Sequence, residues 1–167
     1  MKLSEETFLE IVKHTPLVAI DLIVENENKE ILIGLRKNEP AKNSWFVPGG
    51  RILKNETLEE ALKRLLQEEL GIQTFSGGYK IMGVYTHHYD TCFYQKNPYK
   101  TSTHYIVIPV HFTIHKDVIN TEAMKDQHHD VKWKTCTYIL TDDSVHLNTK
   151  QYFMNQPYPF LYFTKTE

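Results

Sequence analysis

The most regular hydrophobic pattern in the chain lies between Leu58 and Leu70, where apolar residues recur every three or four positions. This spacing predicts an amphipathic helix with one buried face. Thr57 and Glu60 have the residue types and spacing of a capping box, and Gly71 stands where such a helix ends. We therefore predict one well-defined helix within the first half of the chain.

A second, shorter helix is predicted over residues 4–13. Ser4 can cap it, and Phe8, Ile11 and Val12 can face inwards. Two interpretations stay open for this segment. It is either a helix that packs on its own domain, or an arm that reaches a dimer partner or covers a bound nucleotide.

Alternating or continuous apolar segments predict strands on both sides of the 58–70 helix. They are residues 17–24, 30–35, 45–50, 80–89, 103–115 and 131–135. Pro109 cannot donate a ladder hydrogen bond, which favours an edge strand or a bulge. A further helix is predicted around residues 147–155. Together these elements predict one α/β domain over residues 1–167, with a mixed sheet between the 58–70 helix and at least one terminal helix.

Composition and charge exclude several classes of function. The 167 residues are 41% hydrophobic and 24% charged, as in ordinary globular proteins, and the net charge is −2. Because no basic field and no long apolar run is present, we expect neither nucleic acid nor membrane as a partner. Cys92 and Cys136 lack metal-binding spacing, and the amino terminus lacks a signal-peptide core, so the cytoplasm is the expected location.

The charges at the end of the 58–70 helix are unusual. Glu68 and Glu69 lie in its last turns, where an exposed carboxylate opposes the helix dipole at a cost of about 0.3–1 kcal/mol. A divalent cation such as Mg²⁺ would offset this cost, since it prefers carboxylate and carbonyl oxygens. Gly49 and Gly50 precede the helix and allow the backbone to approach a ligand closely.

The spacing of Gly50, Glu56, Arg64 and the glutamate pair 68–69 resembles the Nudix box, the signature of a family that hydrolyses nucleoside diphosphates linked to another group. The family pattern places a glutamate directly after the arginine, where this chain has Leu65. That missing carboxylate, with the segments TPLVAIDLIVEN, WFVPGGR, THY and DQHHD, makes the chain similar to the GDP-mannose mannosyl hydrolase branch. The similarity extends over nearly the whole chain.

The resemblance implies a Nudix-like fold and Mg²⁺-dependent hydrolysis of GDP-mannose, with GDP-glucose as a further substrate. Water would attack the anomeric carbon with inversion and release GDP and free sugar; Mn²⁺ is the alternative ion. Two other functions stay open. One is a pyrophosphohydrolase that yields a nucleoside monophosphate and a sugar 1-phosphate, and the other is a non-catalytic nucleotide-sugar sensor.

The resemblance also implies the residues at the metal and the base. The Gly49 carbonyl, Glu69 and Gln127 would bind the metal, and His128 would be the general base. An imidazole suits this role because its unperturbed pKa of about 6.5 lies near working pH. These retained groups argue against the sensor, since binding alone needs no base. A transition-metal site at the adjacent His128 and His129 would lack a Cys or carboxylate at zinc spacing.

The substrate contacts follow from the same resemblance. Arg36 and Arg51 would neutralise the leaving diphosphate, and Tyr105 would donate a hydrogen bond to phosphate. Asp21 and His87 would contact the sugar or the phosphate. From the residues alone, Asp21 either pairs with an arginine or lies in a pocket, because an unpaired carboxylate inside an apolar strand costs several kcal/mol.

The sequence leaves two further questions open and makes one further prediction. Arg64 either binds phosphate or pairs structurally with Glu60 and Glu68, one turn away on either side. The polar, tyrosine-containing loop 91–102 is either a flap over the substrate or an ordinary surface loop. The aromatic tail at residues 157–163, together with the amino-terminal helix, predicts a homodimer.

Overall fold

The computed structural model describes residues 3–94, 101–126 and 128–154. Its strands are β1 (Leu17–Glu25), β2 (Glu30–Arg36), β3 (Trp45–Phe46), β4 (Gly49–Arg51), β5 (Lys80–Ile81), β6 (Tyr85–Tyr89), β7 (Thr103–Thr113) and β8 (His128–Thr135). Its helices are α1 (Glu5–His14), α2 (Leu58–Leu70), α3 (Cys136–Thr141) and α4 (Leu147–Lys150). Short 3-10 helices lie at Lys116–Val118, Ala123–Asp126 and Gln151–Phe153.

Helix α2 forms as its pattern predicts. The Glu60 N–H donates to Thr57 Oγ1 at 3.2 Å, and the Thr57 N–H donates to Glu60 Oε2 at 2.8 Å, which closes the capping box. Gly71 ends the helix at φ 69°, a left-handed conformation that glycine adopts without strain. The buried apolar face consists of Ala61, Leu62, Leu65, Leu66 and Leu70. Each leucine contributes roughly 1.5–3 kcal/mol through burial.

The mixed sheet confirms the predicted α/β class and divides around β1. Along its full length β1 runs parallel to β7, from the pair Leu17–Tyr105 to the pair Glu25–Thr113. It pairs with β2 only at Glu25, opposite Ile31, beside the hairpin turn. Beyond that point β4 takes the place beside β1, while β2 pairs with β3 and β8. The sheet therefore has two branches that diverge from the β1–β2 hairpin.

One sequence prediction about the strands is wrong in detail. The segment 80–89 is not one strand, because Gly83, at φ 133°, interrupts it between β5 and β6. At Pro109, where an edge or a bulge is predicted, the structure has a bulge. Ile81 of β5 pairs with Val110 and Tyr85 of β6 pairs with Val107, so residues 82–84 lie opposite only residues 108–109. The missing N–H of the proline therefore leaves no ladder bond broken.

Both ends of the described chain pack on the domain itself. Ser4 caps α1 by accepting a 3.2 Å hydrogen bond from the Thr7 N–H, and Leu9 and Val12 are buried. The helix predicted around 147–155 is α4 followed by the 3-10 turn Gln151–Phe153. Residue 155, the tail 157–163 and residues 95–100 of the 91–102 loop lie outside the described residues. No helix within the described ranges is long and apolar enough to cross a membrane.

Candidate active site

Strand pairing brings the polar residues of separate segments together. Asp21 of β1 lies opposite Gly49 of β4, and Arg36, the last residue of β2, lies opposite His128, the first of β8. His87 of β6 lies opposite Tyr105 of β7. In the pairing of β2 with β8 the register shifts between Gly34 and Arg36, so that β8 uses one residue more than β2. Such a bulge re-aims the side chains beside it.

Arg36 is the cation that these groups share. Burial has the largest effect on the pKa values of six groups from six different parts of the fold, and the positive charge of Arg36 is a further influence on each of them. These groups are Asp21, Glu69, Tyr89, Tyr105, His128 and His146. Its own side chain is held by a 2.9 Å hydrogen bond from Nε to the Pro40 carbonyl. The guanidinium carbon lies 5.8 Å from the centroid of the Phe46 ring.

The residues present fit a hard metal ion. Glu69 is only 5% exposed, and burial, followed by the charge of Glu68, raises the pKa of its carboxyl to about 7. A bound cation would stabilise this carboxylate, and with a backbone carbonyl it makes an oxygen ligand set of the kind that Mg²⁺ and Mn²⁺ favour. The described ranges hold no cluster of three or more His, Cys, Asp or Glu side chains arranged to bind a metal. The predicted ligand Gln127 lies outside these ranges.

Gly49 is required by the close approach of β1. A Cβ atom here would lie 2.5 Å from the Ile20 carbonyl oxygen and 2.7 Å from Asp21 Oδ1, both far inside contact distance. Glycine therefore lets the backbone of β4 run directly beside the Asp21 carboxylate. The predicted ligand at Gly49 is a backbone carbonyl in the same strand.

His128 is buried in a defined tautomer. Its Nδ1 lies 3.2 Å from the Met124 carbonyl oxygen, which can only accept, so Nδ1 carries the ring proton. Nε2 is then the basic nitrogen, and it is buried without a hydrogen-bond partner among the described residues. Burial, followed by the charge of Arg36, lowers the pKa of His128 to about 4, so the ring is neutral at neutral pH. The adjacent His129 is exposed, which separates the two histidines.

Asp21 lies in a buried polar chain that sequence reasoning did not foresee. Tyr152 donates a 2.5 Å hydrogen bond to Asp21 Oδ2, and the same hydroxyl lies 3.3 Å from His87 Nε2. Burial raises the pKa of Asp21 to about 7, against the opposing effects of the Tyr152 hydrogen bond and the Arg36 charge. Burial also lowers the pKa of His87 to about 4. Among the described residues, the phenol, and not an arginine, is therefore the hydrogen-bonding partner of the Asp21 carboxylate.

Arg51 and Tyr105 form a second cationic position. The Arg51 guanidinium carbon lies 3.8 Å from the centroid of the Phe8 ring, so α1 supports this arginine by stacking. Stacking occupies the face of the guanidinium and leaves N–H groups at its edge for an anion. Burial raises the pKa of Tyr105, on which the Arg51 charge acts in the opposite direction, so the phenol stays protonated and able to donate.

The Arg64 side chain is fixed by ion pairs with two glutamates and by a hydrogen bond to a backbone carbonyl. Its Nε lies 2.6 Å from Glu56 Oε1 and its Nη2 lies 2.8 Å from Glu56 Oε2. Nη1 donates to Glu68 Oε2 at 2.8 Å, and Nη2 also donates to the Arg51 carbonyl at 2.8 Å. The predicted pairing with Glu68 is present, whereas the pairing with Glu60 is wrong, because Glu60 closes the capping box. Two carboxylates of the box are thus engaged by one arginine.

Leu65 belongs to the core. Its side chain is 2% exposed, and its Cδ2 lies 2.5 Å from where a Cβ of Gly50 would stand. The box position that carries a glutamate in the family pattern is therefore filled here by an apolar side chain packed on the glycine.

Comparison with known proteins agrees with this arrangement. Residues 15–153 match the family model of the NUDIX domain. The chain belongs to the Nudix family. Its Nudix domain is 37% identical over 126 residues to the low-salt glycan biosynthesis protein Agl8 of Haloferax volcanii, across 75% of this chain and 77% of that protein.

Two other similarities are informative. The ADP-ribose pyrophosphatase of Methanocaldococcus jannaschii is 47% identical over 57 residues, which is 34% of this chain and 33% of that protein. A crystal structure of a MutT NUDIX hydrolase from Burkholderia pseudomallei superposes with a TM-score of 0.64 at 20% identity, covering 84% of this chain and 97% of that one. The structural likeness supports the Nudix fold that the sequence predicts.

Proposed function

We propose that this Nudix protein hydrolyses a nucleoside diphosphate sugar, GDP-mannose or GDP-glucose, to the nucleoside diphosphate and free sugar. The observation that carries the proposal is the shortage of available carboxylates on α2 and in the turn before it. Leu65 is packed in the core, and Glu56 and Glu68 are engaged by Arg64. Attack on phosphorus beside this helix would depend on such carboxylates, whereas attack on the sugar carbon needs a base from elsewhere.

His128 supplies that base in this proposal. Its Nε2 takes a proton from water while the water oxygen bonds to the anomeric carbon. The bond from that carbon to the diphosphate oxygen breaks, and its electron pair leaves with GDP. Arg36 and Arg51 neutralise the charge that develops on the diphosphate, and Tyr105 donates a hydrogen bond to it. Mg²⁺ held by the Gly49 carbonyl, Glu69 and Gln127 would supply further positive charge to the leaving group.

The position of His128 sets a condition on this reaction. In the conformation described, Nε2 is closed off from solvent, and the ring lies against Gly34. The imidazole must therefore leave this place when substrate binds, so that its basic nitrogen reaches the attacking water. Catalytic hydrogen bonds commonly form only in the substrate complex.

The relative from Haloferax volcanii supports a sugar substrate, because its name assigns it to glycan biosynthesis. Nucleotide-activated sugars are the donors from which glycans are built. A second candidate function is a pyrophosphohydrolase, which the retained Glu68 beside Glu69 favours. The partial match to an ADP-ribose pyrophosphatase points in the same direction.

The position of bond cleavage tests the proposal. The purified protein is incubated with GDP-mannose and Mg²⁺ in ¹⁸O-water. The products are then separated, and their masses are measured by mass spectrometry. We expect label in mannose and none in GDP, and the first sugar formed from the α-linked substrate should be β, since a single displacement inverts the centre. Label in phosphate, with GMP and mannose 1-phosphate as products, would assign the chain to the pyrophosphohydrolases. No Mg²⁺-dependent turnover at all would favour the sensor.

A homodimer in the cytoplasm is part of the same proposal. The exposed apolar side chains Val18 and Leu53 are available to such an interface. Light scattering on the full chain after size exclusion should give twice the mass of 19.7 kDa. A monomer at micromolar concentration would contradict the dimer without affecting the chemistry.

A further inference from the structure

The chain of hydrogen bonds from Asp21 through Tyr152 to His87 has a defined direction. All three side chains are buried, at 7%, 3% and 1% exposure. Tyr152 has one proton, and it donates that proton to Asp21 Oδ2 at 2.5 Å. The phenol oxygen can then only accept from its other neighbour, His87 Nε2, at 3.3 Å.

This direction determines the tautomer of His87. If Nε2 bonds to an oxygen that has no further proton to give, Nε2 must carry the ring proton. Nδ1 is then the unprotonated nitrogen, which can only accept a hydrogen bond. The low pKa of His87, caused by burial, keeps the ring neutral and this distinction intact. Above its pKa of about 7 Asp21 is a carboxylate, and it then also has only acceptor atoms to offer.

We propose that Tyr152 is a positioning residue that makes Asp21 and His87 a pair of hydrogen-bond acceptors, and that this pair recognises sugar hydroxyls and not phosphate oxygens. Hydroxyl groups can donate to both acceptors, whereas ionised phosphate oxygens accept only. The recognition part rests on the proposed function, because it needs a sugar in the substrate. Phosphate is left to the donors Arg36, Arg51 and Tyr105. In this proposal Asp21 and His87 contact the sugar end of the substrate and not its phosphates.

The surroundings make Tyr152 suited to this role. Its ring is held edge-to-face by Tyr85, with centroids 4.9 Å apart, and lies 5.8 Å from the ring of His87. Neither of the two hydrogen bonds of the chain from Asp21 through Tyr152 to His87 involves Tyr85. Removing the Tyr85 hydroxyl therefore alters a neighbouring aromatic ring without touching the chain, which makes Tyr85→Phe a matched control.

The tautomer of His87 is measured first, without substrate. Full-length protein with ¹⁵N-labelled histidine is examined by long-range ¹H–¹⁵N correlation, and the His87 signals are assigned from their loss in His87→Gln. We expect the Nε2–H tautomer in the wild-type protein and in Tyr85→Phe, and a mixture of tautomers in Tyr152→Phe. An Nδ1–H tautomer in the wild-type protein would overturn the proposal. This measurement decides the matter even if Tyr152→Phe does not fold, and its result does not depend on the proposed function.

Steady-state kinetics then tests what the pair recognises. For Tyr152→Phe we expect the KM for GDP-mannose to rise about tenfold or more, as when a buried hydrogen bond to a charged group is lost. The inhibition constant of GDP should change less than about twofold, because GDP lacks the sugar. An equal loss for both ligands would overturn sugar recognition by this pair. If the wild-type protein does not turn over GDP-mannose, the proposed function fails, and with it the recognition part, while the tautomer result stands by itself.

Discussion

Arg64 holds Glu56 by two bonds across the turn that leads into α2, with Nε 2.6 Å from Oε1 and Nη2 2.8 Å from Oε2. This fork-to-fork geometry is the strongest form of an ion pair between these residue types. Glu56 also accepts a 2.8 Å hydrogen bond from the Leu53 N–H. Arg64 also donates to the Arg51 carbonyl of β4, so this arginine joins that strand and the turn after it to the helix that carries Glu69.

Replacing Arg64 by lysine should destabilise the protein. A lysine cannot form both bonds to Glu56, and we expect the free energy of unfolding to fall by about 1–2 kcal/mol. Urea denaturation of Arg64→Lys measures the loss, with exposed Lys63 replaced by alanine as the control on the same helix. A loss of activity with unchanged stability would instead assign Arg64 to phosphate binding.

Placing the glutamate of the family pattern at position 65 should destabilise the folded protein. Leu65→Glu buries a carboxylate where the side chain is now 2% exposed, and we expect a cost of several kcal/mol. Thermal unfolding should show a large fall in Tm. The control is Gln67→Glu on the exposed side of α2, which should leave Tm nearly unchanged. Equal stability of the two variants would mean that the helix can rotate position 65 towards solvent.

The metal-free stability of Glu69→Gln should depend on pH. Because burial raises the pKa of Glu69 to about 7 in the folded state, against 4.5 unfolded, the folded protein holds this proton longer. Its stabilising contribution is complete below pH 4.5 and is lost as pH rises through about 7. In EDTA, Glu69→Gln should therefore gain stability over the wild type between these values, by at most roughly 3 kcal/mol.

Activity gives the second measurement on the same variant. If Glu69 is a metal ligand, Glu69→Gln should lose turnover by orders of magnitude while it stays folded. Near-normal turnover at limiting Mg²⁺ would remove Glu69 from the ligand set. A stability difference that is the same at pH 5 and pH 8 would contradict the raised pKa.

His128→Ala should lower kcat by about 10²–10⁴, the usual effect of removing a general base. The acid limb of the wild-type profile of kcat/KM, which reports the free enzyme, is expected near the pKa of about 4 and should be absent from the variant. Exposed His129 provides the matched control, and His129→Ala should retain most of the activity. If His129→Ala suffers the large loss, the other histidine of the pair is the base.

Local patterns were sufficient to predict α2 and its caps, because every residue that determines them lies within one or two turns. The sequence also predicted most strands. The roles of Glu69, Arg36 and His128 were implied by the family resemblance and stay predictions, while the pairing of β2 with β8 places Arg36 opposite His128. The bond between Tyr152 and Asp21 could not be predicted in this way, since 131 positions separate the two residues. Only the assembled sheet shows that they meet.

Two further features depend on details that no sequence pattern reports. The burial of His128 and the exposure of His129 accompany the extra residue in β8, and simple alternation does not indicate where a bulge falls. The partner of Arg64 is Glu56, eight residues away across a turn, and not Glu60 on the same helix. Helical spacing predicts only neighbours within the helix. The nearer glutamate, Glu60, instead accepts a hydrogen bond from the Thr57 N–H in the capping box.

Gly34 offers a way to move the base without changing any ionisable group. A methyl group on Gly34 would stand 2.3 Å from Cδ2 and 2.6 Å from Cγ of His128, so the imidazole and one added carbon cannot occupy the same place. Gly34 does not adopt a positive φ, and alanine is therefore compatible with its backbone. Gly34→Ala should therefore displace the imidazole ring from its enclosed position. The variant changes where the base lies while His128 itself is unchanged.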